Sequence, residues 1–185
     1  MSVRDDHRER VTERLAAHLL ETGLTQDSLR QLARAAGISD RMLLYYFADK
    51  AEVLSAAAAR IAAQTVESLA EALPEGTTLP PRKLIMLATQ LTAGPKMRQF
   101  MRLWVEMIAA AAKGEEPFVT ISGHVMASFK QWLAARLEVP VGTDAAATAG
   151  VIIALIDGLA LVDICSSEAD MQATHRAVAG LFGPH

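Results

Sequence analysis

Residues 28–50 read SLRQLARAAGISDRMLLYYFADK, two apolar patterns of about two helical turns each on either side of Gly37. Helices this short do not persist alone in water, because nucleation costs more than a few backbone bonds return. Both must therefore be held by a shared core. Leu29, Leu32, Ala33 and Ala36 give the first an inward face, and Leu43 with Phe47 gives one to the second. Gly37 can take the positive φ that ends the first helix, with Ile38 plugging the corner. Ser39 is placed to cap the second helix, and Asp40 suits its positive end. Ala33, four residues before the glycine, lets the two helices cross closely. This is the spacing of a helix-turn-helix.

Such a pair has a geometric purpose. The second helix needs only to project one face into a major groove about 12 Å wide, while the first lies across the backbone. The exposed positions are expected to be Asp40, Arg41, Leu44 and Tyr45, with Met42 and Tyr46 at the edges. Arg41 can offer a donor fork to guanine O6 and N7, and the tyrosines can reach phosphates or base edges. Met42 and Leu44 either touch a thymine methyl or pack internally. Ser28, Arg30 and Lys50 stand at helix starts suited to phosphate contacts. The candidate DNA-binding set is thus Ser28, Arg30, Ser39, Asp40, Arg41, Met42, Leu44, Tyr45, Tyr46 and Lys50.

Elsewhere, periodicity and punctuation predict helices at about 5–21, 28–35, 40–46, 49–72, 81–93, 95–113, 117–137, 144–165 and 168–181. Asp49 with Glu52 can form a capping box with Ala48 and Val53 as staple, and Thr143 and Ser167 can cap the last two helices. Pro81, Pro95 and Pro117 stand at first-turn positions. PEGTTLPP, residues 74–81, is the clearest break. No alternating β-branched run signals a sheet. The expected fold is all-α, an N-terminal three-helix helix-turn-helix domain over 1–50 and a helical effector-binding and dimerisation domain over 51–185, about nine helices in all.

GLTQDSLRQLARAAGISDRMLLYYFADKAEVL, preceded by an amphipathic helix and followed by a helical body, resembles the tetracycline-repressor (TetR) family of bacterial transcriptional regulators. The matching features are Gly23, Leu32-Ala33, Gly37-Ile38-Ser39, Leu43, Tyr46-Phe47, Lys50 and Val53-Leu54. LIDGLALV, residues 155–162, is similar to the penultimate helix that pairs subunits in that family. The resemblance implies a homodimer on a near-palindromic double-stranded DNA operator, released by a small-molecule effector. Three departures stand out: Leu44 where many members carry a phosphate-binding tyrosine, Met42 where a small hydroxyl residue is usual, and Asp40, which would repel phosphate. The family also implies an effector cavity in the body. Met97, Met101, Trp104, Met107, Phe118, His124 and Phe129 are its candidates, adaptable methionines and aromatics suited to an apolar or aromatic ligand, with Glu106 and His124 as polar anchors. Simple core is the plainer reading of that set. Gly150, Ile153, Ala154, Gly158, Leu161 and Val178 are the expected dimer surface.

Charge does not advertise a polyanion partner. The net charge is −3, and residues 1–50 hold eight Lys/Arg against eight Asp/Glu, so any nucleic-acid contact depends on where the charges sit. One cysteine, Cys165, and charges throughout the first twenty residues lead us to expect a cytoplasmic protein. The apolar stretch 145–162 contains Asp157, which at mid-bilayer costs about 2.5 to 3.5 kcal/mol, so a membrane span is not expected. His7, His18, His124, His175 and His185 show no metal pair at helical spacing. Asp157 and Asp163 fall on different helix faces, and no phosphate loop or nucleophile elbow is present, so neither catalysis nor a cofactor is expected. The rivals are a helical enzyme or small-molecule carrier with an inert N-terminal unit, and an adaptor using the Tyr45-Tyr46 surface.

Overall fold

A computed structural model describes residues 3–24, 27–92 and 94–182. The ends of two expected features, Ala93 and His185, lie outside the described residues. Among the described residues the fold is all-α, with nine helices: α1 (Val3–Thr22), α2 (Leu29–Ala35), α3 (Asp40–Tyr46), α4 (Lys50–Ala72), α5 (Pro81–Thr92), α6 (Pro95–Ala112), α7 (Phe118–Ala134), α8 (Ala145–Cys165) and α9 (Glu168–Phe182). The chain divides into two compact units, one of residues 1–65 and 103–125, the other of 66–102 and 126–185. Helices α4, α6 and α7 each contribute to both, so this packing division differs from a cut at residue 50.

In the first unit, α1 buries Val11, Leu15 and Leu19 at helical spacing, α2 buries Leu32 and Ala33, and α3 buries Leu43 with Phe47 just beyond it. Ala33, Ala36 and Leu43 are fully enclosed, as a close crossing requires. Every terminus of the two short helices is capped. Ser28 and Gln31 form a capping box at the start of α2, and the Ser39 hydroxyl accepts from the Met42 amide at the start of α3. At the end of α2 the Ile38 amide donates to the Ala33 carbonyl and the Gly37 amide to that of Arg34. This is the Schellman arrangement, and it needs the φ of +70° that Gly37 adopts.

The remaining carbonyls are met from α1. Arg14 Nη1 donates to the Ala36 carbonyl at 2.9 Å. Arg8 Nε donates to the Tyr46 carbonyl at 3.3 Å, and its Nη2 to Glu52 at 3.1 Å. Glu52 in turn accepts from the Ala48 amide, while Asp49 accepts from the Glu52 amide. The expected capping box of α4 is present, shifted by one residue because Glu52 reaches Ala48 and also holds Arg8. His18 pairs with Asp27 at 2.8 Å, just ahead of the α2 cap.

The turn after α1 is pinned from α6. Gly23 has φ +75°, and a Cβ there would lie 2.7 Å from Glu106 Oε1. The other carboxylate oxygen of Glu106 accepts the Leu24 amide at 2.5 Å. Glu106 therefore holds the turn between α1 and α2, its carboxylate engaged by the backbone.

In the second unit, Leu73, Leu84, Ile85, Leu133, Leu137, Ala149, Ile152, Leu159 and Val178 form one apolar core, with α5 packed on α8 and α9. The proline-rich break 74–81 is tied down: the Leu79 amide donates to the Arg136 carbonyl and the Glu138 amide to that of Leu79, both at 2.9 Å. That pairing draws residues 136–138 out of α7, which ends before the expected Leu137. Arg136 is buried, donates to the Leu73 and Trp132 carbonyls, and stacks 4.2 Å from the Trp132 ring. The α8 cap is Asp144, whose carboxylate accepts two amides, in place of the expected Thr143; Ser167 caps α9. Among the described residues α8 alone is long and apolar enough to cross a bilayer, yet Ala149, Ile152, Leu159 and Ala160 are buried within the protein.

Two outcomes check this account. Gly37→Ala should cost about 1 to 2 kcal/mol, the left-handed penalty of a side-chain-bearing residue, and lower the thermal midpoint by about 2 to 8 °C; Gly37→Asn should lose less. Glu106→Ala should speed hydrogen exchange of the Leu24 amide roughly five- to tenfold, reflecting loss of a charge-assisted bond discounted for exposure; unchanged protection would reject the pin.

Candidate nucleic-acid interface

The seven residues of α3 span about 10 Å at 1.5 Å per residue, a length that a major groove about 12 Å wide admits. Its two faces are sharply different. Leu43 and Phe47 are sealed inside, while Asp40, Arg41, Met42, Leu44 and Tyr45 are all exposed, Leu44 to 51% and Tyr45 to 56%. Met42 and Leu44, which the sequence left open between surface and core, belong to the surface. Exposed apolar side chains of this size next to Arg41 are what contact with thymine methyls and base edges would require.

Tyr46 needs correcting. Expected at the edge of the exposed face, it is buried at 9%. It sits on the side of α3 that carries Leu43 and Phe47, three residues from the first and adjacent to the second. Its ring meets that of Tyr45 edge-on at 5.3 Å and 71°. Ser28 and Ser39 are exposed, with their hydroxyls engaged in the two N-caps. Arg30 is exposed at the start of α2, and Lys50 is half-buried at the first position of α4. Arg30 thus stands in the first turn of α2 and Lys50 in that of α4.

Sequence reasoning missed the arginines of α1. Arg4 Nη2 donates to the Tyr45 carbonyl at 3.4 Å, and its guanidinium lies 4.8 Å from the Tyr45 ring centre. Arg8 repeats the arrangement one turn later, 4.8 Å from the Phe47 ring and bonded to the Tyr46 carbonyl. The signal was the i, i+4 spacing of these arginines, legible only once the partner helix is known. Arg8 and Arg14 meet carbonyl ends and Glu52, while Arg30 and Arg41 remain exposed.

The other expected sets fare unevenly. Met101, Trp104 and Met107 are buried, Met97, Phe118 and Phe129 are half-buried, and Phe100 and Phe129 pack at 5.6 Å. These residues fall in both compact units. His124 is exposed, which corrects the reading of it as a buried core group. Of the pairing set, Leu161 and Ala154 are exposed and Gly150, Ile153 and Gly158 half-buried. Val178 is buried in the core of its own unit, so it cannot face a partner. Among the described residues no group of three or more His, Cys, Asp or Glu side chains could hold a metal ion.

Residues 14–57 match the family model described as bacterial regulatory proteins, tetR family. Comparison with curated proteins finds no match. Several solved structures share the fold. A transcriptional regulator from Rhodococcus sp. is 23% identical with a TM-score of 0.72, over 95% of this chain and 94% of that one. A TetR-family transcriptional regulator from Cytophaga hutchinsonii is 18% identical with a TM-score of 0.74, over 98% and 96%. The multidrug binding protein EbrR, solved with proflavin, is 20% identical with a TM-score of 0.63, over 95% and 99%. The family match is local to the helix-turn-helix, and over the whole chain the fold is that of solved TetR-family transcriptional regulators.

Proposed function

We propose that the protein is a cytoplasmic homodimeric repressor that binds a near-palindromic DNA operator and leaves it when a small apolar or aromatic ligand binds the helical body. The observation that carries this reading is the outward face of α3, Arg41, Met42, Leu44 and Tyr45, on a unit whose helix ends are all tied down. Residues 1–50 would read the DNA, with Ser28, Arg30 and Lys50 as backbone contacts; residues 51–185 would bind ligand and pair subunits. Asp40, at the first turn of α3, would sit where base-edge donors rather than phosphates approach.

Pairing is supported by what α8 and α9 leave uncovered. Val151 and Leu161 on α8 are 70% and 49% exposed, Val162 and Ile164 lie beside them, and Leu181 on α9 is 71% exposed. Interspersed Ala154 and Gly158 would let a second helix pair approach closely, and apolar area of this kind is rarely left to water. The ligand reading is supported by Met97, Met101 and Phe129, which fall in one unit, and by the Trp132 indole N–H of the same unit, buried with no acceptor among the described residues. A ligand can shift the DNA-binding equilibrium only by its difference in affinity for the two states, and EbrR binds proflavin, an example of the class we expect.

Selection of bound sequences from random duplex DNA is the decisive experiment: a two-fold motif supports the reading and no enrichment rejects it. On the selected duplex, Arg41→Ala should lose about 1 to 3 kcal/mol of sequence preference, whereas Lys50→Ala should weaken all sequences alike and lower the salt slope by about one. Equal losses from both variants on specific and random DNA would contradict this division. Leu161→Asp should yield monomers in sedimentation, and an unchanged mass would reject the α8 surface. Proflavin titrated onto the protein should quench Trp132 fluorescence and lower operator affinity; unchanged emission and affinity would reject the ligand reading.

A further inference from the structure

Tyr45 is the most exposed of the large hydrophobic side chains on α3, and it is also held. Its backbone carbonyl accepts from Arg4 Nη2 at 3.4 Å, the Arg4 guanidinium lies 4.8 Å from its ring centre, and its ring meets the buried Tyr46 edge-on at 5.3 Å. Two contacts from one arginine to one residue, repeated by Arg8 on Tyr46 and Phe47 one turn along α1, make a ladder of stacked guanidiniums over the last turn of the reading helix. Arg8 is further bound to Glu52 and serves the fold. Arg4 meets the ring that faces outward.

We infer that Arg4 is a specificity-determining positioning residue: it sets the pose of the Tyr45 ring before DNA arrives, so that this ring discriminates among base edges. The inference rests on the regulator reading proposed above. An exposed aromatic side chain samples several rotamers, and ordering it on binding costs affinity while a mobile ring tolerates wrong bases. A flat guanidinium on one face, with Tyr46 against the edge, removes that freedom in advance. Lysine cannot substitute, since its ammonium is a compact, strongly hydrated charge without a stacking plane.

The full-length protein and its R4A, R4K, Y45A and R4A/Y45A variants would be titrated with the duplex recovered by selection and with a permuted duplex of the same composition, at two salt concentrations. R4A should lower the preference for the selected duplex roughly two- to fivefold. R4K should not restore it, and R4A should cost nothing further in the Y45A background, as expected when one residue acts through the other. Restoration by R4K, additive losses, or an equal loss on both duplexes with the salt slope reduced by about one would overturn the inference in favour of a direct phosphate contact. Failure of the wild-type protein to enrich any motif would instead overturn the regulator reading, a result no Arg4 variant can produce.

Discussion

The reading unit depends on arginines that are not themselves on the reading helix. A seven-residue helix leaves most of its carbonyls without intrahelical partners, since the last four of any helix are unmatched. In α2 and α3 that is over half of each element. Arg14 takes the carbonyl at the end of α2, and Arg8 and Arg4 take those at the end of α3. Each is a charge-assisted bond at a negative helix end. Without Arg8 and Arg14 the exposed face of α3 would be carried by a segment too short to keep its shape.

The same bonds decide where charge goes. Eight cations and eight anions in residues 1–50 cancel in sum, but the sum hides a partition. Arg8 is engaged by the Tyr46 carbonyl and Glu52, Arg14 by the Ala36 carbonyl, and His18 and Asp27 hold one another. Arg41 and Arg30 stay outward. Which charges can meet a partner is therefore set by position and not by the sum, with Arg30, Arg41 and Asp40 all exposed.

Glu106 ties a turn of the reading unit to the body by way of sequence-distant residues. Its carboxylate fills the volume that any side chain at position 23 would need, which is why a glycine with positive φ stands there, and it accepts the next amide. Residues 103–125 consequently belong to the same compact unit as the helix-turn-helix. The domain boundary expected at residue 50 and the boundary drawn by packing are different lines, because the packing division falls within α4, α6 and α7.

Much was legible in residue order alone. Local rules govern helix starts and stops, and so α3 and α9 begin where capping residues say they should, Gly37 takes its positive φ, and Leu43 and Phe47 turn inward. The amphipathic period made the inward faces of α1 and α2 readable, and the helix-turn-helix spacing carried the family. What depended on tertiary structure lay between elements. Tyr46 looked like an edge residue of α3, and only the packing of the unit sent it inward. Met42 and Leu44 could have been core by hydropathy, and Val178 could have been interface. His124 had the chemistry of an anchor and sits in solvent, while Glu106 had the same chemistry and is engaged by a turn over eighty residues away. Sequence determined which segments coil and which faces are apolar, because those follow from neighbours three and four residues apart. The partners of Arg4, Arg8, Arg14 and Glu106 were decided only by the fold, because long flexible charged side chains bond whatever the packing brings within reach.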